Sequence, residues 1–144
     1  MKTGLILLLL MAPFARALEV PVAIQDVIDG RTLEVRHPGG AITRVQLAGL
    51  GTAKREVLVR LAPRGTHGFV LVGGTSPQTR PVIGFVYLCP NLRPCTTATF
   101  NLNAEVLRHG GAKFVSNFED AELRQMLIKA QLEAQQARRG VWAK

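Results

Sequence analysis

Val27-Ile28-Asp29-Gly30-Arg31-Thr32-Leu33-Glu34-Val35 is the stretch from which the rest of the chain can be read. β-Branched and aliphatic residues flank Asp29-Gly30, a dipeptide that tolerates positive φ. The stretch therefore predicts a strand end, a tight turn and a second strand. Working outward, Val20 to Ile28 reads as the first strand and Thr32 to His37 as the second. Pro38-Gly39-Gly40 turns the chain into a third, Ala41 to Leu50. Leu33 and Val35 alternate with Thr32, Glu34 and Arg36, and Val45 and Leu47 with Arg44 and Gln46, so each strand offers one apolar face to a core. Gly51-Thr52-Ala53 breaks the pattern. Val57, Leu58 and Leu61 then fall at helical spacing, predicting a short helix over Lys54 to Ala62 that Pro63 ends. Phe69 to Val72 and Val82 to Leu88 complete five strands, enough to close a small barrel.

Helices follow the strands. Leu102 to His109 has Asn101 or Asn103 as its cap and Gly110-Gly111 as its stop. The last helix is expected over Asn117 to Arg139, behind the capping-box pattern Ser116-x-x-Glu119. Leu123, Met126, Leu127, Ala130, Ala134 and Ala137 form one stripe on it, with Glu122, Gln125, Lys129, Glu133 and Gln136 on the other side. The stripe is Ala-rich and weakly apolar, which suits packing on the protein's own barrel better than a membrane or partner.

Residues 1–17 read as a signal peptide: Lys2, the apolar run Gly4 to Ala12, and a small-x-small cleavage site at Ala15-Arg16-Ala17. The run is shorter than the roughly 20 apolar residues that span a bilayer, so no transmembrane segment is expected in the mature chain. Export places the remaining domain, residues 18–144, in the periplasm or outside the cell. Losing Lys2 and Arg16 leaves 16 basic against 10 acidic residues, a net charge of about +6, which attracts polyanions and also serves plain solubility. In an oxidising compartment, Cys89 and Cys95 are expected to form a disulfide closing Pro90 to Pro94. Two cysteines with no nearby ligand pair do not make a zinc site. His37, His67 and His109 share no metal-ligand spacing and read as surface or partly buried side chains. Thr66-His67 and Ser76 suggest no nucleophile with a base, and Gly73-Gly74-Thr75-Ser76 lacks the P-loop lysine.

Four stretches, in order and sensibly spaced, resemble the staphylococcal-nuclease-like (thermonuclease) domain family. The opening turn is similar to its Val-x-Asp-Gly-Asp-Thr-Leu turn. Thr43-Arg44-Val45-Gln46-Leu47-Ala48-Gly49-Leu50 is similar to its Val-Arg-Leu-Ala-Gly-Ile-Asp strand. Asn103-Ala104-Glu105-Val106-Leu107-Arg108-His109-Gly110-Gly111-Ala112 is similar to its Asn-x-x-Leu-Val-x-x-Gly-x-Ala helix. The end, Ala134-Gln135-Gln136-Ala137-Arg138-Arg139-Gly140-Val141-Trp142, is similar to its Ala-basic-Gly-Leu-Trp segment. The resemblance implies a mainly β fold with helices, a five-stranded OB-fold barrel carrying a C-terminal amphipathic helix.

It also implies an active site, and here the chain departs. The family holds calcium with carboxylates, activates water with a glutamate and meets the phosphate with two arginines; the chemistry requires hard oxygen ligands, a base and fixed cations. Arg31 stands where the family keeps a metal-binding aspartate, and only the outer turn aspartate survives, as Asp29. The first catalytic arginine falls on Gln46, the aspartate ending the third strand on Gly51, and the base glutamate on Lys54. The second arginine falls on Arg80 or Pro81. Like unit charges about 4 Å apart repel by roughly 4 kcal/mol at an effective dielectric near 20, so calcium binding is expected to be lost and no cofactor is expected. Arg31, Lys54, Arg55 and Arg80 would instead attract nucleic acid or another polyanion without a metal; the plain alternative pairs Arg31 with Asp29 or Glu34. Two further readings stay open: residual phosphodiester cleavage by a shifted set, Asp29, Glu34, Glu56 and Arg80, and a protein-binding module of the cell envelope.

Overall fold

Hairpin pairing begins where the alternation predicts it. The computed structural model describes residues 18–72 and 82–144; the signal peptide expected at 1–17 and the Gly73–Pro81 stretch, with Ser76 and Arg80, lie outside the described residues. β1 (Leu18–Val27), β2 (Thr32–Arg36) and β3 (Ile42–Leu47) form an antiparallel meander. β4 (Leu50–Ala53), α1 (Arg55–Leu61), β5 (His67–Val72) and β6 (Val82–Leu88) follow. β7 (Phe100–Asn101), α2 (Leu102–Arg108), β8 (Ala112–Phe114) and α3 (Ala121–Gln136) complete the order. The fold is mainly β with three helices among the described residues. Its larger sheet has the order β3-β2-β1-β5-β6-β7, and β3 also runs parallel beside β6, so five strands return on themselves in a ring. β4 and β8 pair separately.

β1 serves two neighbours in turn, β5 through Leu18 to Ala23 and β2 through Ala23 to Val27. Pro21 is tolerated because of this division. The Ile24 amide donates to Thr66 O at 2.8 Å, so alternate amides face β5, and the N–H that Pro21 lacks would point where β2 has not yet begun. A bulge between Ile24 and Asp26 then shifts the alternation by one residue. Val22, Ile24 and Val27 are consequently all buried. Inside the ring they meet Leu33, Val35, Val45, Leu47 and Val86, each at most 1% exposed apart from β1's own residues. Burial of each such side chain contributes about 1.5–3 kcal/mol.

The expected third strand, Ala41 to Leu50, is in fact two. Gly49 adopts φ +82° and breaks it; a Cβ there would also run into the Leu127 side chain, so the position needs glycine for both conformation and space. Its amide donates to Asn117 Oδ1 at 2.7 Å. Beyond it, β4 pairs with β8, a strand not foreseen. Of the two cap candidates, Asn101 caps α2 by accepting from Ala104 N at 3.0 Å. Asn103 does something else: fully buried, it accepts from Val86 N at 3.1 Å and donates to Ala48 O at 2.8 Å and Gly84 O at 3.1 Å. It thereby ties α2 to β6 and to the end of β3.

The last helix starts four residues later than the capping-box reading places it. Asp120 is the cap, accepting from Leu123 N at 2.9 Å, and Ser116 to Glu119 are not helical. Tertiary contacts hold that segment instead: Asn117 takes the Gly49 amide, and Phe118 packs edge-on against Phe85 with centroids 5.1 Å apart. Leu127, Ala130 and Ala134 of the expected stripe are buried, but Met126 is exposed and Ala137 lies beyond the helix end. The helix packs on the protein itself, mainly against α2 and β8. Arg108 of α2 reaches Glu133 Oε2 of α3 at 2.7 Å and also pairs with Glu105. Among the described residues no helix is long and apolar enough to cross a membrane.

Candidate functional site

The β1–β2 connection spans Ile28 to Arg31, longer than the two-residue turn its dipeptide suggested. The Ile28 and Asp29 amides both donate to Thr32 O, at 2.9 and 3.2 Å. Asp29 Oδ1 accepts from the Arg31 amide at 2.9 Å, an Asx turn in which the carboxylate is occupied by its own loop. Neither Asp29 nor Gly30 has positive φ. Gly30 is required for space instead: a Cβ would lie 2.7 Å from Ala53 Cβ and nearer still to the Ala53 carbonyl. The turn is thus seated on the last residue of β4, immediately before Lys54 and Arg55.

Three further contacts build this corner. Arg55 Nη2 donates to Val27 O at 3.1 Å, fixing that guanidinium beside the turn. The Leu47 amide donates to Arg31 O at 2.7 Å. Gln46 stands directly across from Thr32 and is flanked by Ile83 on β6. Arg31, Lys54 and Arg55 are all exposed. No ion pair joins Arg31 to Asp29 or Glu34 among the described residues. Gly51 lies two residues up β4 and is buried; a Cβ there would come 2.9 Å from Val115 Cγ1, so any larger side chain requires Val115 to shift. Arg80 is outside the described residues.

The donor set at this corner does not suit calcium, which takes about six to eight oxygen ligands. Asp29 is engaged by its own loop, the exposed Arg31, Lys54 and Arg55 lie on the two segments that meet at Gly30 and Ala53, and Glu56 follows Arg55 in the first turn of α1. Among the described residues no group of three or more His, Cys, Asp or Glu side chains is placed to hold a metal ion. What the corner offers to solvent is exposed guanidinium and ammonium groups, those of Arg31, Lys54 and Arg55.

Elsewhere the expected disulfide is present: Cys89 and Cys95 are bonded, with Cα atoms 5.8 Å apart. Thr66 Oγ1 donates to Pro63 O at 2.6 Å, a contact within its own turn. His109 sits beside the Arg108 ion pairs. Burial first, then Arg139, Arg60 and Arg108, hold its imidazole below the usual 6.5. Glu105 lies 3.7 Å away but shares its carboxylate with Arg108, which weakens its pull on the proton. Sequence reasoning missed that His37 and His67 line one pocket; thirty positions apart, with no shared spacing, they carried no signal. Compared with models of known protein families and with curated proteins, the chain matches none.

Proposed function

We propose that the protein is an exported, staphylococcal-nuclease-like OB barrel that has exchanged a calcium-dependent nuclease site for a metal-free grip on polyanions, nucleic acid above all. Three findings support the fold and the setting: five strands that return on themselves, helices packed outside them, and a disulfide suited to an oxidising compartment. The observation that carries the function is the seating of Gly30 on Ala53. It brings Arg31 to Lys54 and Arg55 while Asp29 is turned to its own loop. Phosphates would be met by these cations, with little preference for base sequence.

The test is anisotropy of labelled single-stranded DNA and RNA against salt. Each phosphate contact on a single strand contributes about 0.7 to the log–log slope, so the Arg31→Ala, Lys54→Ala double variant should lower the slope by roughly 1.4. An unchanged slope in that variant defeats the proposal. Binding absent even at low salt would point to a protein partner. Chelator-sensitive cleavage that Asp29→Ala abolishes would restore the nuclease reading.

A further inference from the structure

A second site lies at the other end of the β1–β2 pair, four strand residues or roughly 13 Å along from the turn. Cross-strand partners share a face, and Ala23 pairs with Arg36 on β2 and with His67 on β5. Arg36, Ala23 and His67 therefore stand in one row outside the ring, with Pro21 and Phe69 paired in the next. The methyl group of Ala23 is too short to fill the space between its neighbours, which leaves a depression. His67 O accepts from the Cys89 amide at 2.8 Å, drawing the Cys89–Cys95 bridge and Pro94 over its edge. The pocket holds about 330 Å³, at the lower end of ligand pockets, which run from about 300 to 1,000 Å³.

Its surface is largely apolar, and its polar groups are of one kind. Arg36 is steadied by its Nε, which donates to Gln25 Oε1 at 3.0 Å, leaving the two terminal nitrogens to meet a ligand. His37 is oriented by Thr43 Oγ1, 2.7 Å from its Nε2. None of the described residues lining the pocket is acidic, and Arg36 has no acidic partner among the described residues. A guanidinium at the rim of an apolar pocket selects for charge at one end of a ligand and hydrophobic surface at the other.

We propose that this pocket binds a small amphipathic carboxylate, its acid group on Arg36 and its aromatic or aliphatic body against Phe69, Pro21 and the disulfide. The site is separate from the cationic corner and does not depend on what binds there. The probe is 2-naphthoate, titrated into the labelled protein and followed by NMR, with 2-naphthylmethanol as its uncharged counterpart. Saturable shifts are expected at Ala23, His37, His67 and Phe69, with the alcohol binding roughly tenfold more weakly. Arg36→Gln, an exposed position whose fold the same spectra verify, should bring naphthoate down to the alcohol's affinity. Ala23→Leu, which fills the depression, should abolish both. Equal binding of acid and alcohol, or full affinity in Arg36→Gln, overturns the carboxylate assignment. No saturable binding, or shifts confined to Arg31, Lys54 and Arg55, overturns the site.

Discussion

Asn103→Ala removes the one polar side chain of α2 that is wholly inside the core. Its three hydrogen bonds do not weigh equally. Gly84 O keeps a second donor, the Ala48 amide at 2.9 Å, so it remains satisfied. The Val86 amide and Ala48 O lose the partners Asn103 supplied, at 3.1 and 2.8 Å, and both lie where water does not reach. An unpaired buried polar group costs about 1–3 kcal/mol, so the two together should cost roughly 2–6 kcal/mol. That is a large share of the roughly 5–15 kcal/mol that holds a domain together. Urea unfolding followed by far-ultraviolet circular dichroism measures it; at about 2 kcal/mol per molar urea, the midpoint should fall by roughly 1–3 M. Asn103→Asp keeps the acceptor but loses both donated bonds and buries a carboxylate, so it should be no better tolerated. A loss below about 1 kcal/mol in Asn103→Ala would mean that the freed backbone groups find other partners, and the reasoning would fail.

Gly30→Ala should push the turn off Ala53, destabilise by roughly 1–3 kcal/mol and weaken oligonucleotide binding; unchanged stability and binding would refute the packing role. Replacing both Cys89 and Cys95 with serine should cost about 2 kcal/mol in the chain-entropy account, read as a lower thermal midpoint. The His109 imidazole is held below 6.5, so the unfolded chain binds that proton more tightly. Stability should therefore fall as pH drops from 6.5 through the lower folded value. His109→Gln should flatten that part of the pH dependence of the urea midpoint, and an equal slope in both proteins would contradict it.

Chain-local physics was readable from the residues alone. The alternation of Leu33, Val35, Val45 and Leu47 foretold which faces are buried, and β6 runs from Val82 to Leu88 as its apolar run indicates. Pro63 follows the end of α1 because proline cannot continue a helix. Cysteines six positions apart are kept near each other by the chain itself, so their bridge needed no tertiary information. Local signals failed where a distant partner outbid them. Ser116-x-x-Glu119 has the pattern of a cap, but Asn117 is drawn to Gly49 and Phe118 to Phe85, and the helix waits for Asp120.

The residue types at the cationic corner were likewise visible, since Arg31 and Lys54 are simply there to be read. What placed them together was the contact of Gly30 with Ala53 and of Arg55 with Val27 O, across 23 and 28 positions of chain, and no spacing rule anticipates either. The same holds for Arg36, His37 and His67, which share a pocket only because β1 has β2 on one side and β5 on the other. Periodicity records how each segment divides its own side chains between core and solvent. Which exposed side chains become neighbours is decided by strand register, and register is a property of pairs of segments that the one-dimensional pattern does not contain.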